Sequence, residues 1–171
     1  AWTWEHQALT RARYCAGDTA IGAAFEAERE AILRLPRDRE KLAEEVVAMR
    51  RRMHDGHPNP TALFDLKHDP GGMVDIEFVV QYLVLAHAHD QPRLTGNLGN
   101  IALLRIAGGI GLVPADLAAR VADAYREYRK VQHAIRLTGA PHVRVDPAAH
   151  AQRRVDVDAL WVEVFGTAWN T

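Results

Sequence analysis

Residues 73 to 89, MVDIEFVVQYLVLAHAH, carry apolar side chains on nearly every face of a helical wheel. A helix that is hydrophobic all round cannot lie on a surface, so neighbours must cover it on most sides. A chain of 171 residues is long enough to supply that cover and suits one domain, residues 1–171. Helical periodicity elsewhere supplies the neighbours. Trp2 to Tyr14 reads as a helix, with Trp2, Leu9 and Ala12 among polar residues. After a Gly17-Asp18 break and cap, Thr19 to Leu35 follows, with Ile21, Phe25, Glu28, Ile32 and Leu35 spaced to form one face and Pro36 as the stop. Asp38 opens a helix to about His54, with Leu42, Val46 and Met49 inside and Arg50, Arg51 and Arg52 outside.

The stretch Asp55-Gly-His-Pro-Asn-Pro is a loop, because prolines and glycine do not fit a helix interior. Asn97 to Ile106 predicts a short helix closed by Gly108-Gly109, and Pro114 favours the first turn of a long helix to Leu137. Gly139 to Arg154 reads as loop with a scrap of strand at Val143 and Val145, and a last helix runs from about Asp158 to Phe165. The expected fold is therefore all-α, a bundle of about six to seven helices.

Composition narrows the function classes. The hydrophobic share of 48% and charged share of 25% are ordinary for a globular protein, and a net charge of -1 gives no pull toward nucleic acid or an anionic membrane. No apolar run reaches roughly 18 residues and no secretory leader is visible, so membrane and secreted readings are not expected. Cys15 is the sole cysteine, with no partner for a disulfide or thiolate metal site, which fits a reducing cytoplasm. The chain opens Ala-Trp-Thr-Trp without Met, as a segment cut from a longer protein would.

The stretch KHDPGGMVDIEF, residues 67 to 78, gathers the candidate site residues Lys67, Gly71, Gly72, Asp75 and Glu77. Asp75 and Glu77 would share a face on a strand and hold Mg²⁺ together, but on a helix they lie roughly 200° apart and diverge. Asp75 falls in a first helical turn, where a carboxylate meets orphan N–H groups. Glu77 interrupts an apolar helix, so it either pairs internally or faces a cleft; Gln81 shares its face. Gly71-Gly72 is either a tight turn into the helix or a place where backbone N–H groups approach a phosphate.

The histidines do not form a metal motif. His54 and His57 flank a glycine, and His87 and His89 point different ways, so no convergent pair four residues apart exists and no metal site is expected. Asp156-Val-Asp158 has the spacing of a nucleotidyl-transfer metal site, but no Gly-Ser loop accompanies it and N-capping is the expected role. Arg126, Arg129, Lys130 and His133 share the long helix with Tyr125, Tyr128 and Gln132, a mixture suited to an interface.

Four stretches resemble the glutamine synthetase adenylyltransferase family: AWTWEHQALTRAR at 1 to 13, FDLKHDPGGMVDIEFVVQYLVL at 64 to 85, LTGNLGNIALL at 94 to 104 and YREYRKVQHAIRL at 125 to 137. The resemblance implies an enzyme of two halves, each a nucleotidyltransferase domain followed by a helical bundle; one half removes AMP from glutamine synthetase and the other adds it. Gly71 to Phe78, reading Gly-Gly-Met-Val-Asp-Ile-Glu-Phe, is similar to the adding half, whereas the removing half tends to read Gly-Gly-Ile-Arg-Glu-Ile-Glu-Phe. The family's metal carboxylates and Gly-Ser loop lie upstream, so no catalytic residue is carried over to this chain. ATP and Mg²⁺ would bind in the upstream domain, and glutamine synthetase and the PII signalling protein would be partners.

Three roles follow from that reading. The chain is an accessory domain that helps close the nucleotide cleft, with Lys67 and Glu77 facing the upstream domain. Alternatively it is a protein-binding regulatory module with no part in the active site. An independent metal-dependent hydrolase fits least, given diverging carboxylates and unpaired histidines.

Overall fold

A computed structural model describes residues 3–168 of the chain. Among the described residues there are seven α-helices: α1 (Thr3–Leu9), α2 (Thr19–Leu33), α3 (Arg39–Asp55), α4 (Met73–His87), α5 (Asn100–Gly109), α6 (Ala115–Leu137) and α7 (Ala151–Phe165). Short 3-10 turns at Pro92–Leu94 and Pro147–His150 precede α5 and α7, and β1 (Phe64–Asp65) pairs with β2 (Arg144–Val145). The all-α bundle is the fold that the periodicity predicts. No helix among the described residues is long and apolar enough to cross a membrane.

The helix α4 is the axis of the bundle. All its residues except Glu77, Gln81 and His87 are buried, and α1, α3, α5, α6 and α7 pack around it. Leu42 and Val46 of α3, Leu103 and Leu104 of α5, Val121 and Tyr128 of α6, and Leu160 and Trp161 of α7 complete the core. Gly108 lies inside α5 and does not end it. A Cβ there would meet Ala118 Cβ at 3.0 Å and Ala115 Cα at 3.1 Å, so the glycine permits the close approach of α5 to α6.

Helix starts follow capping chemistry. Asp18 accepts from the amides of Ala20 and Ile21, and Asp38 from those of Glu40 and Lys41, each satisfying orphan donors. The faces are less faithful to the expectation. On α2 it is Gly22, Arg29 and Leu33 that are buried, while Ile21 is 71% exposed and Phe25 also faces outward, as does Leu35 just beyond the helix end. Arg29 sets this orientation: its guanidinium donates to the carbonyls of Leu9, Thr10 and Thr95, which draws that face inward. The first helix is shorter than expected, because the Thr10 hydroxyl bonds back to Gln7 O and the chain turns; Trp2 lies outside the described residues.

Two further expectations are corrected at the end of the chain. Helix α7 begins at Ala151, so Asp156 and Asp158 lie within it and cap nothing; Asp156 is buried and accepts from Arg120 Nε at 3.0 Å. The capping carboxylate is Asp146, which accepts from Ala148 N and opens the 3-10 turn that feeds α7. The expected strand scrap is β2, paired antiparallel so that Phe64 faces Val145 and Asp65 faces Arg144.

Candidate functional site

The stretch 64 to 78 is a folded entry into α4 built from its own carboxylates and carbonyls. Asp65 Oδ1 accepts from the amides of Lys67 and His68 at 3.0 Å each, turning the chain back after β1. Asp69 Oδ2 accepts from Asp65 N at 2.8 Å and from Asn59 Nδ2 at 2.7 Å, tying in the preceding loop. The amides of Gly72, Met73 and Val74 donate to the carbonyls of Asp69, Leu66 and Lys67. The Gly71 amide donates to Asp75 Oδ2 at 2.7 Å. Protein oxygens therefore take every amide from Gly71 to Val74, and this helix start does not present them to an external phosphate.

The two glycines are required by their surroundings. Gly71 has φ +78, and a Cβ on it would stand 2.9 Å from Arg154 Cβ and 3.0 Å from Arg154 Cα. Its carbonyl accepts from the Tyr128 hydroxyl at 3.1 Å. A Cβ on Gly72 would meet Asp69 O at 2.8 Å and Leu66 O at 2.9 Å. The tight-turn reading of this pair is the one the geometry carries.

Asp75 is 0% exposed and faces the interior, not a cleft. Its Oδ1 accepts from Arg50 Nε, and Arg50 Nη2 reaches His68 O at 2.7 Å. Arg50 is also 0% exposed, which corrects its expected position on the outside of α3. The spacing Leu42, Val46, Arg50 continues the inward stripe of α3 and was the available signal. Periodicity named the position as inward, but the charge argued for water; a partner 25 residues away reversed that.

Lys67 and Glu77 are the two motif residues that meet at a surface groove, with a volume of about 450 Å³. Its apolar wall comes from Met49 and Met53 of α3, Phe78 of α4 and Trp4 of α1, the last 54% exposed. Lys67 is exposed and Glu77 half-buried. Glu77 Oε1 accepts from the Tyr125 hydroxyl at 2.8 Å, so its bonded partner is on α6 and is not Lys67. Burial, then the Glu77 carboxylate, pushes the Tyr125 phenol above its ordinary range, while Arg11 acts against both. Gln81, one turn further along α4, accepts from Gln7 Nε2 at 3.2 Å. Glu77 and Gln81 also line a more polar groove of about 630 Å³ with Arg11, Arg13 and Asn97.

The candidate interface on α6 divides by face. Tyr125 and Tyr128 are core residues, while Arg126, Arg129, Lys130 and His133 are exposed. Arg126 pairs with Asp123, Lys130 with Glu127 at 3.9 Å, and Arg129 contacts Gln132 and His133. Among the described residues no three His, Cys, Asp or Glu side chains are grouped to hold a metal ion. His57 stacks on His68 with ring centroids 4.2 Å apart and planes 12° apart. No periodicity could reveal that pair, because both residues stand in irregular segments.

A sequence model of the family described as GlnD PII-uridylyltransferase matches residues 38–142, which contain α3, the motif, α4, α5 and α6. The chain is 61% identical, over 98% of its length, to the bifunctional glutamine synthetase adenylyltransferase/adenylyl-removing enzyme of Aromatoleum aromaticum. Enzymes of the same name from Ralstonia nicotianae and Nitrosomonas europaea are 60% and 49% identical, again over 98% of the chain. The chain spans 18% of the Aromatoleum and Ralstonia relatives and 20% of the Nitrosomonas one. The buried motif, the helical bundle around it and these matches have one reading: the chain belongs to the GlnD PII-uridylyltransferase family, within which it is similar to one segment of the bifunctional glutamine synthetase adenylyltransferase/adenylyl-removing enzymes.

Proposed function

We propose that this chain is the helical accessory domain of the adenylyl-adding half of an enzyme that transfers AMP from ATP to glutamine synthetase. A nucleotidyltransferase domain of the same protein carries ATP, Mg²⁺ and the catalytic carboxylates, and no residue of this chain has a catalytic role. The observation that carries the reading is the division within the motif. Gly71, Gly72 and Asp75 are consumed in building the entry to α4, while Lys67 and Glu77 emerge at one groove beside the exposed Trp4. A compact ammonium on a flexible stem suits the phosphates of a nucleotide held by the neighbouring domain. Glu77, anchored by Tyr125, keeps a carboxylate at the same edge.

A second reading, a docking module for glutamine synthetase or PII outside the active site, draws support from the exposed basic face of α6 and the outward Ile21, Phe25 and Leu35. Either reading places the protein in the cytoplasm, where its partners act. The test is made in the full enzyme with Lys67→Ala and Glu77→Gln. The accessory reading expects AMP transfer to fall about 10- to 100-fold, as for other groups that support a reacting site, with little change in melting temperature. Normal rates in both stable variants would refute it, and lost binding of glutamine synthetase or PII by variants of Arg126 and Arg129 would favour docking.

A further inference from the structure

His57, Lys67 and His68 also line a smaller pocket of about 130 Å³, closed on its other side by the end of α6 and the strap leading into β2. Three permanent cations reach it, Lys67, Arg136 and Arg144, with the imidazoles of His57, His68 and His142; Asp65 is the one carboxylate in its lining. In a chain of net charge -1 that concentration is not a general property of the surface.

The positive charge is only partly neutralised, by Asp65, which forms a long ion pair with Arg144 and lies 3.6 Å from His68 Nδ1. Asp65 Oδ1 is already engaged by two backbone amides, and its Oδ2 lies 3.8 Å from Arg144 Nε, beyond hydrogen-bond reach. Arg144 Nε is buried and makes no hydrogen bond. Arg136 donates to Pro141 O at 3.4 Å, and Lys67 is exposed. Burial lowers the proton affinity of His68, and His57, Lys67 and Arg50 lower it further against the pull of Asp65. A folded protein does not gather such a set without cost, because like charges in a concave site repel.

We infer that this pocket binds an oligophosphate anion, two or more linked phosphoryl groups, through Lys67, Arg136 and Arg144, with His68 and His142 as further donors and His57, whose Nδ1–H is given to Met53 O, as part of the wall. A carboxylate is planar and is best met by one guanidinium fork, whereas these donors arrive from three separate segments and suit a tetrahedral oxyanion. Even with neutral imidazoles the three fixed cations exceed Asp65 by two charges, which offsets most of the charge of one linked pair of phosphates. The site is made by this chain alone, and its existence does not depend on the accessory role proposed above.

The probe is inorganic pyrophosphate, titrated into the 171-residue chain at low ionic strength and followed by calorimetry and by the ring proton signals of the histidines. Binding should saturate, and the His57, His68 and His142 signals should move together while those of His87 and His89 stay still. Lys67→Gln and Arg136→Gln, both exposed and so tolerated by the fold, should each weaken binding about tenfold, the loss of one charge-assisted contact. Arg105→Gln, on the exposed side of α5, should leave it unchanged. Three results overturn the inference: no saturable binding, equal weakening by Arg105→Gln, or succinate or an acidic peptide binding as tightly as pyrophosphate.

Discussion

Replacing Asp75 by alanine removes the carboxylate that accepts from both Arg50 Nε and the Gly71 amide. The Arg50 guanidinium, itself 0% exposed, would retain His68 O and lose the Asp75 carboxylate. Breaking a buried pair from one side costs roughly 3–5 kcal/mol, because the remaining ion stays desolvated. Against a total stability of about 5–15 kcal/mol this is a large fraction. For a chain of this size each kcal/mol lowers the melting temperature by about 2–4 °C, so a drop of roughly 6–20 °C is expected. Urea unfolding followed by far-UV circular dichroism measures the loss directly, with an unchanged m-value as the sign that only stability moved. The double variant Arg50→Met with Asp75→Leu should recover the part owed to the uncompensated charge, but not the cost of leaving the Gly71 amide and His68 carbonyl without partners, about 1–3 kcal/mol each. Glu77→Gln is the internal control: its side chain is half-buried and the amide oxygen still accepts from Tyr125, so about 1 kcal/mol or less is expected. An Asp75→Ala variant within about 1 kcal/mol of the parent would refute the pair as the anchor of α4.

Gly71→Ala should destabilise by several kcal/mol, since left-handed strain of about 1–2 kcal/mol adds to the contact with Arg154, while Gly139→Ala, with φ +79 and open space, should show only the strain. Equal melting temperatures for the two would show that the α7 contact carries nothing. The chain should also lose stability on acidification through the histidine range. His68, His87 and His150 have lowered proton affinity, chiefly from burial, so below the ordinary value of 6.5 the unfolded chain binds protons that the folded one refuses. Stability is full above that value and falls below it, and His68→Gln and His150→Gln should flatten the slope in melts recorded from about pH 7.5 to about pH 5.5.

The grooves share a wall. Lys67, His57 and His68 line both the apolar groove beside Trp4 and the cationic pocket beside Arg136, so one ligand or neighbour spanning them would meet charge at one end and aromatic and thioether surface at the other. That continuity ties the accessory role to the oligophosphate inference without making either a condition of the other.

What the sequence by itself determined is whatever depends on near neighbours along the chain. The apolar circumference of α4 demanded a covering bundle, Asp18 and Asp38 announced two helix starts, and the residues Gly71 to Phe78 carried the family resemblance. Those features are local, because helical period and capping act over three or four residues. Only the tertiary structure decided which charges go inside. Arg29 turned α2 about its axis by bonding to carbonyls up to 66 residues away, Asp75 drew Arg50 into the core, and Arg120 claimed Asp156 within α7. A charged side chain is read as solvent-facing until its partner is known, and a partner brought by folding from a distant segment leaves no periodic trace. The cationic pocket is of the same kind: its donors come from a loop, a helix end and a strap, which only the packing of α6 and the pairing of β1 with β2 place around one space.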